Sequence, residues 1–436
     1  MTFGVTVVLL TFVVFVALIL SGKVKIEIAA MAIPIILEIT GVLDFGEAWS
    51  GLVNNSVIMM AAMFVVGNAV GKTSILGKMS GAILKPGASD LKIMIAIALP
   101  TMFLGCFVNG VGTLTVILPM ITAICAEQQR PLSKFVYPTC VLAHIWPGYL
   151  PTGGNAAGYL QYNAILENLG GEGTWTFFTA MINKTPIEII VIPFLLLVTL
   201  KMAPDLGNIP SKIEGAQANE KVAENQAKAS STSLTPAQEK FTVFVFVACV
   251  VGIVSCALLG LKTWWPATIA AFVLTASGVM SVNETRMAMS VPVIFITVGT
   301  LPLATALSKT GADQLIAETF HRVTGTMPPV AIMISMYLVC MILTQFMSNL
   351  AVGSAFRTLA AVIAVQFGYD GRAMMLSAQE GASNAFMLPT ATPAMMMGYE
   401  HGNYRIKDFI RMGLPVSIVM TIIFSIYTPF MFPLVP

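Results

Sequence analysis

Long apolar runs separated by short polar segments follow one another along the chain. Crossing a bilayer as a helix takes about 20 mostly apolar residues. Eight runs fit one helix each, at 4–21, 26–43, 54–71, 186–200, 241–260, 264–281, 290–307 and 412–433. Two longer runs, 135–165 and 374–399, predict interrupted spans. The runs 92–127 and 328–365 have a polar break in the middle, and we interpret each as a hairpin of two half-helices.

The polar breaks are the unusual feature of these runs. They read FVNGVGT (107–113) and FMSNLAVGS (346–354) in the hairpins, and YLPTGGNAAG (149–158) and NAFMLPTATPAM (384–395) in the interrupted spans. Non-helical backbone at membrane depth survives only inside protein or beside a wet cavity. Freed carbonyl, hydroxyl and amide oxygens suit a sodium ion, and half-helix N-termini suit an anion. Small polar residues also serve helix packing, but the paired occurrence of the breaks favours a transport site.

Matching motifs in the same order indicate that the chain consists of two similar halves. GKTS (71–74) corresponds to SKTG (308–311), and PTGGNA (151–156) to PTATPA (389–394), at an almost constant separation. The polar segment 203–240 is the linker between a first repeat, 1–202, and a second, 241–436. We expect an all-α membrane protein with about five spans and one re-entrant hairpin per half and broken helices at the midplane; an odd number of spans inverts the second half.

Composition agrees with lipid as the solvent. Of 436 residues, 56% are hydrophobic and 10% charged, whereas a water-soluble domain carries about 25% charged residues. A net charge of +2 argues against a nucleic-acid partner. The six cysteines form no CxxC pair, which argues against disulfide and zinc sites. No nucleophile–base pair or metal triad stands out, so we expect no enzyme and no cofactor. An intramembrane enzyme and an assembly scaffold are the alternatives from other classes.

The basic residues predict the orientation in the membrane, because cytoplasmic loops are enriched in Lys and Arg. Placing both termini outside puts most basic residues and the linker in the cytoplasm. It leaves outside only Lys184, Lys262, Lys309, Arg322 and Arg372. The first apolar run lacks a basic segment and a cleavage site, and we interpret it as a retained helix rather than a signal peptide.

Charges inside membrane spans are costly and often functional, and we single out three charged residues within the predicted spans. They are Glu38, Arg357 and Glu380. We interpret Glu380 as a solvated residue near the outer boundary. Arg357 is either an attractor for an anion or one member of a pair within the second arm of its hairpin.

The three histidines are far apart in sequence. His144 lies just before an interrupted span, and we interpret it as a buried histidine with its hydrogen bonds satisfied. A role in proton coupling is the alternative. His321 and His401 fall near membrane boundaries and are expected to be solvated.

The polar breaks resemble those of the divalent anion–sodium symporter family, the di- and tricarboxylate transporters of the ion transporter superfamily. SNL (348–350), with Thr344 before it, is similar to the family's hairpin tip, and AFMLPTATPA (385–394) is similar to its broken helix. VNG (108–110) and TGGN (152–155) depart from the pattern in the first half. The resemblance implies an anion, most simply a small carboxylate, coupled to sodium, a homodimer, elevator-like movement and a bacterial cytoplasmic membrane location.

The resemblance also implies site residues. The better sodium site would use Thr344, Ser348, Asn349 and the carbonyl of Ala391, and a degenerate one Asn109, Gly153, Gly154 and Asn155. Substrate oxygens would be met by Asn109, Gly110, Thr152, Ser348, Asn349, Thr390 and Thr392. Because the first tip lacks hydroxyls, a proton-coupled or uncoupled permease is the alternative, and we expect a singly charged anion to be preferred over a succinate-like one.

The predicted orientation can be tested by cysteine labelling. In a background without native cysteines, Ser230→Cys in the linker should react with a membrane-impermeant thiol reagent only when the cytoplasmic face is open. Arg322→Cys is the control, because it should react from outside. Labelling of Ser230→Cys in intact cells would show that the orientation is wrong.

Overall fold

The structure is a computed structural model, and it describes residues 3–21, 23–73, 87–106, 110–146, 158–207, 234–259, 261–289, 291–324, 327–346 and 348–435. Every regular element in these ranges is a helix and none is a strand. The prediction of an all-α membrane protein is confirmed. Six helices are long and apolar enough to cross a membrane, and four further apolar helices are shorter.

The first half contains nine described α-helices. They are α1 (Phe3–Ser21), α2 (Ile26–Ile39), α3 (Phe45–Ala48), α4 (Asn55–Gly71), α5 (Asp90–Gly105), α6 (Gly110–Gln128), α7 (Val136–Ile145), α8 (Gly158–Asn168) and α9 (Thr179–Met202).

The second half contains ten described α-helices, one more than the described part of the first. They are α10 (Pro236–Leu258), α11 (Trp264–Ala276), α12 (Val282–Ala288), α13 (Val291–Thr310), α14 (Ala312–Thr324), α15 (Pro329–Thr344), α16 (Asn349–Phe367), α17 (Gly371–Ser383), α18 (Pro393–His401) and α19 (Ile406–Met431).

The helices recur in the same order in the two halves. The short helices α3 and α12 occupy corresponding places, and each begins with a capping box, formed by Asp44 with Glu47 and by Ser281 with Glu284. A capping box pairs backbone N–H groups that the first turn would otherwise leave free. These two helices therefore start at sequence-defined positions in both halves.

The packing between the halves is reciprocal. Helix α2 packs on α13, and their counterparts α11 and α4 pack on each other. Likewise α6 contacts α18, while α16 contacts α8. Such exchanged contacts are what two copies related by a two-fold axis would make. The inversion of the second half in the membrane, and the division at residues 202 and 241, stay predictions.

The crossing of α2 and α13 depends on small residues. Gly299 lies so close to the backbone of Ala30 that a Cβ at this position would overlap it. A Cβ on Gly51 would come within 2.7 Å of the Val298 carbonyl oxygen. Membrane helices pack closely where small residues let the backbones approach, so these two glycines hold the first half against the second.

Several predicted spans begin earlier than the apolar pattern indicates. Helix α9 begins at Thr179, not near 186, α10 at Pro236, not near 241, and α19 at Ile406, not near 412. Helix α14 was not predicted at all. It carries a polar face, and its Asp313 is buried and accepts a hydrogen bond from Gln366 Nε2 at 2.9 Å. Mixed polar and apolar helices fall below a hydropathy threshold, which is why the apolar pattern missed it.

Candidate functional site between the second hairpin and the second broken helix

The second interrupted span is broken as predicted. Helix α17 ends at Ser383, the chain runs without helix through Asn384 to Leu388, and a 3-10 turn (Pro389–Ala391) leads into α18. Asn384 is buried at this break. Its Nδ2 donates to Tyr337 Oη at 3.0 Å and to the Ser417 carbonyl at 3.3 Å, while its Oδ1 accepts from Ser417 Oγ at 2.7 Å. These bonds fix the unwound chain inside the protein.

The end of α15, in the second hairpin, is bonded directly to this break. Gln345 Nε2 donates to the Asn384 carbonyl at 2.6 Å, and Gln345 Oε1 accepts from Met387 N at 3.1 Å. The Gln345 carbonyl accepts from Thr390 Oγ1 at 3.3 Å. One glutamine thus satisfies a free carbonyl and a free amide of the unwound segment, which would otherwise cost several kcal/mol at membrane depth.

The first hairpin reaches the same break from the other half. Gly110 is the first residue of α6, and a Cβ placed on it would lie 2.9 Å from the Ala143 carbonyl oxygen and 3.7 Å from Ala394 Cβ. Ala394 belongs to the first turn of α18, whose N-cap Thr392 accepts from Met395 N at 3.1 Å. The N-termini of α6 and α18 therefore come together, and helix N-termini favour negative charge.

The predicted sodium residues are only partly brought together. Thr344 is buried and donates to the Ala382 carbonyl at 2.9 Å, and Ala391 is buried in the break. Ser348 is exposed at the start of α16 without a side-chain cap bond, and Asn349 is half-buried. Among the described residues, neither Ser348 nor Asn349 hydrogen-bonds the break. Asn109, Thr152, Gly153, Gly154 and Asn155 lie outside the described residues.

A buried group of charges lies beside the break, and the sequence interpretation missed it. Lys184 Nζ is 3.6 Å from Glu380 Oε2, with the two side chains only 9% and 3% exposed, and it donates to the Ile145 carbonyl at 3.3 Å. Glu188, one turn further along α9, is buried as well. Glu380 is therefore buried rather than solvated, and Lys184 lies within a helix rather than in a loop. The signal was present as NKTPIE ahead of an apolar run.

Arg357 pairs with a residue of a neighbouring helix rather than within the second arm of its hairpin. Its Nη2 donates to Gln379 Oε1 on α17 at 2.6 Å, and its guanidinium lies 4.7 Å from the centre of the Tyr162 ring. Tyr162 in turn packs on Trp175. Next to these two rings lies a cavity of about 80 Å³, whose other lining residues include Lys184, Gln379 and Glu380. Arg357 is not among the lining residues, but it contacts two of them, Tyr162 and Gln379.

The remaining polar candidates have local partners. His144 Nε2 is 3.0 Å from the Ser383 carbonyl oxygen, as expected for a satisfied histidine. His401 Nε2 is 2.8 Å from Thr122 Oγ1 and half-buried, so it is not simply solvated. Glu38 accepts from Trp49 Nε1 at 2.7 Å. The side chain of His321 lies outside the described residues.

Gln345 should be a stability determinant of the break. Gln345→Met keeps the size but leaves the Asn384 carbonyl and the Met387 amide unpaired, each at a cost of about 1–3 kcal/mol. We expect a clear fall in the melting temperature of the protein in detergent. The control is Gln314→Met, which removes an amide of the same type from an exposed position on α14. Equal shifts in the two variants would show that Gln345 does not secure the break.

Comparisons with known proteins agree with these features. The citrate transporter family, CitMHS, matches residues 16–379. The sodium-dependent dicarboxylate transporter SdcS of Staphylococcus aureus is 24% identical over 443 residues, which cover 94% of this chain and 83% of SdcS. The uncharacterised transporter sll0640 of Synechocystis is 30% identical over 182 residues, 42% of this chain but only 29% of its own length. These relatives are transporters, not enzymes.

Solved structures show the same fold at low sequence identity. MtrF of Neisseria gonorrhoeae aligns with a TM-score of 0.63 at 13% identity, over 100% of this chain and 96% of its own. The YdaH transporter of Alcanivorax borkumensis aligns with a TM-score of 0.55, also at 13% identity, over 87% of this chain and 86% of its own. The expected relationship to carboxylate transporters is confirmed at the family level. The chain belongs to the citrate transporter family and is a multi-pass membrane protein.

Proposed function

We propose that the protein is a secondary active transporter that moves a small carboxylate across the bacterial cytoplasmic membrane, coupled to sodium. The observation that supports this most is the meeting of both hairpins at the second break. Gln345 brings the second hairpin to the unwound segment, and Gly110 brings the first one to α18. This arrangement offers oxygen ligands and helix N-termini at one place, as a site for a cation and an anion requires.

The sodium site is proposed at Thr344, Ser348, Asn349 and the carbonyl of Ala391. Thr344 donates its proton to a backbone carbonyl, so the lone pairs of its hydroxyl oxygen are free to accept a cation. Ser348 forms no cap bond, and Asn349 is at the first position of α16. A second, weaker site is proposed at Asn109, Gly153, Gly154 and Asn155 on the sequence resemblance alone.

Movement of the hairpins with the broken helices is proposed as the elevator-type step. Ion binding would order the second tip, and the ordered tip would then hold the carboxylate, which is coupling in the thermodynamic sense. The homodimer is proposed from the resemblance. One exposed apolar surface available to lipid or to a second copy is the face of α10, with Phe244 69% exposed, Val247 51% and Val251 58%.

The substrate is proposed as a small carboxylate, and di- and tricarboxylates are expected to bind better than monocarboxylates. The names of the family and of SdcS concern citrate and dicarboxylates, and they do not favour the expected preference for a singly charged anion. The structure also gives a packing reason for Gly110. Its close approach to the Ala143 carbonyl excludes a side chain, so the missing hydroxyl at this position is not evidence about substrate charge.

The two proposed sodium sites should differ in a titration. Asn349→Ala removes an amide oxygen from the better site and should abolish sodium-dependent uptake in proteoliposomes. Asn109→Ala should raise the apparent KM for the anion more than that for sodium. Uptake of labelled citrate and succinate, measured with and without a sodium gradient at fixed pH, checks both variants.

The control is Asn403→Ala, in the turn before α19 and far in sequence from both hairpins, which should leave the sodium dependence unchanged. Equal losses of sodium affinity in Asn349→Ala and Asn109→Ala would show that the ranking of the sites is wrong. Wild-type uptake that does not depend on sodium would contradict sodium coupling and favour the proton-coupled or uncoupled permease.

A competition assay should define the substrate class. We expect unlabelled di- and tricarboxylates to inhibit uptake of labelled citrate or succinate more than acetate does at equal concentration, because two helix N-termini, those of α6 and α18, meet at the site. Sulfate and phosphate serve as non-carboxylate controls. Stronger inhibition by acetate would restore the preference for a singly charged anion.

A further inference from the structure

The charges buried between α9 and α17 do not balance. Lys184 contributes one positive charge, and Glu188 and Glu380 contribute two carboxylates, all three with little exposure to solvent. Glu380 is the partner of Lys184, at 3.6 Å between Nζ and Oε2. Arg357 does not make up the difference, since the ion pairs among the described residues include none to Arg357 and its guanidinium faces Gln379 and Tyr162.

Glu188 is the carboxylate left over. Its Oε2 is buried and has no hydrogen-bond partner among the described residues, and its side chain is 3% exposed. The groups that act on it or face its helix are Lys184 on α9, Glu380 on α17, Cys106 at the end of α5, His144 on α7 and Tyr427 on α19. A desolvated carboxylate with an unpaired oxygen is far more costly ionised than protonated.

We propose that Glu188 holds a proton in the folded protein, so that Lys184, Glu188 and Glu380 form a proton-binding site at the contact between the two halves. The balance is simple, because the Glu188 carboxylate and one proton from water give a neutral carboxylic acid. Nothing else changes oxidation state or bonding. The cluster then carries one ammonium and one carboxylate, and no net charge is buried.

The position of the cluster connects it to the transport site. Lys184 belongs to the first half and Glu380 to the second, and both line the cavity of about 80 Å³ beside Tyr162 and Trp175. Glu380 lies near the end of α17, which leads into the break held by Gln345. A proton can therefore reach Lys184 and Glu380 from this cavity. The charge of the cluster then changes the electrostatic potential next to the backbone that would hold the carboxylate. The link between the proton site and transport rests on the proposed function, whereas proton binding itself does not.

Infrared spectroscopy of the purified protein tests the proton directly, through the carbonyl stretch of a protonated carboxylic acid. The wild type at neutral pH should show this band, with a shift in heavy water. Glu188→Gln should remove it. Glu380→Gln should also remove it, because Lys184 can then pair with an ionised Glu188. Lys184→Met should roughly double it, because both carboxylates then need a proton. Glu38→Gln, at a half-buried carboxylate elsewhere, should leave it unchanged.

Two outcomes would overturn the proposal. Absence of the band in the wild type, or its persistence in Glu188→Gln, would mean that Glu188 is ionised. A band that appears only when choline replaces sodium would mean that sodium, not a proton, balances the cluster. The melting temperature of each variant, measured in parallel, shows whether a lost band reflects a changed site or an unfolded protein, and only folded variants are scored.

Transport assays test whether the proton is linked to uptake. With labelled citrate and labelled succinate as probes at fixed sodium, wild-type uptake should change several-fold across the pH range in which the infrared band titrates. Glu188→Gln should have a flat pH profile and keep its sodium dependence. The same pH profile in both proteins would overturn the link. Absence of any uptake would contradict the proposed function instead, and the infrared result would still decide the proton site.

Discussion

The need to pair every backbone polar group at membrane depth is the constraint on which the rest of this structure depends. Helix α17 stops at Ser383 inside the protein, and the segment that follows has no helical bonds to complete. Gln345, at the end of α15, pairs the Asn384 carbonyl and the Met387 amide, and Tyr137 of α7 pairs the Phe386 carbonyl. Without them the unwound chain would cost several kcal/mol for each free group. The end of α15 and the broken helix are therefore held together by hydrogen bonds.

That pairing also explains where polar chemistry collects. Once the break is held, its turn leads into α18 with Thr392 as the N-cap, and Gly110 allows the N-terminus of α6 to approach it. Both halves supply hydrogen bonds here, Gln345 from the second half and Tyr137 and His144 from the first. The first half also supplies, at Gly110, a close backbone approach that no side chain could replace. Membership of the citrate transporter family agrees with a site that favours negative charge next to neutral oxygens.

The buried charges give the same interface a second function. Lys184 and Glu380 join α9 to α17 across the halves, and Glu188 adds a carboxylate that has no cation of its own. Buried charge pairs contribute little net stability compared with apolar packing. Keeping three such groups beside a cavity is therefore better explained by ion handling than by stability. A proton on Glu188 and sodium at the proposed Thr344 site would couple transport to two ions.

The sequence by itself determined the membrane class, most spans, the repeated order of elements and the position of the second break, because apolar length and helix-breaking Gly and Pro act locally. It also pointed to Thr344 and Thr390. Only the tertiary structure decided which residues, distant along the chain, pair with one another. Gln345 gains its role from Asn384 and Met387, about 40 residues away along the chain. Lys184 and Glu380 are close only because α9 packs near α17, and periodicity in one segment carries no information about which distant helix lies opposite. The same limit explains why Glu380 was interpreted as solvated and why Glu188 was missed.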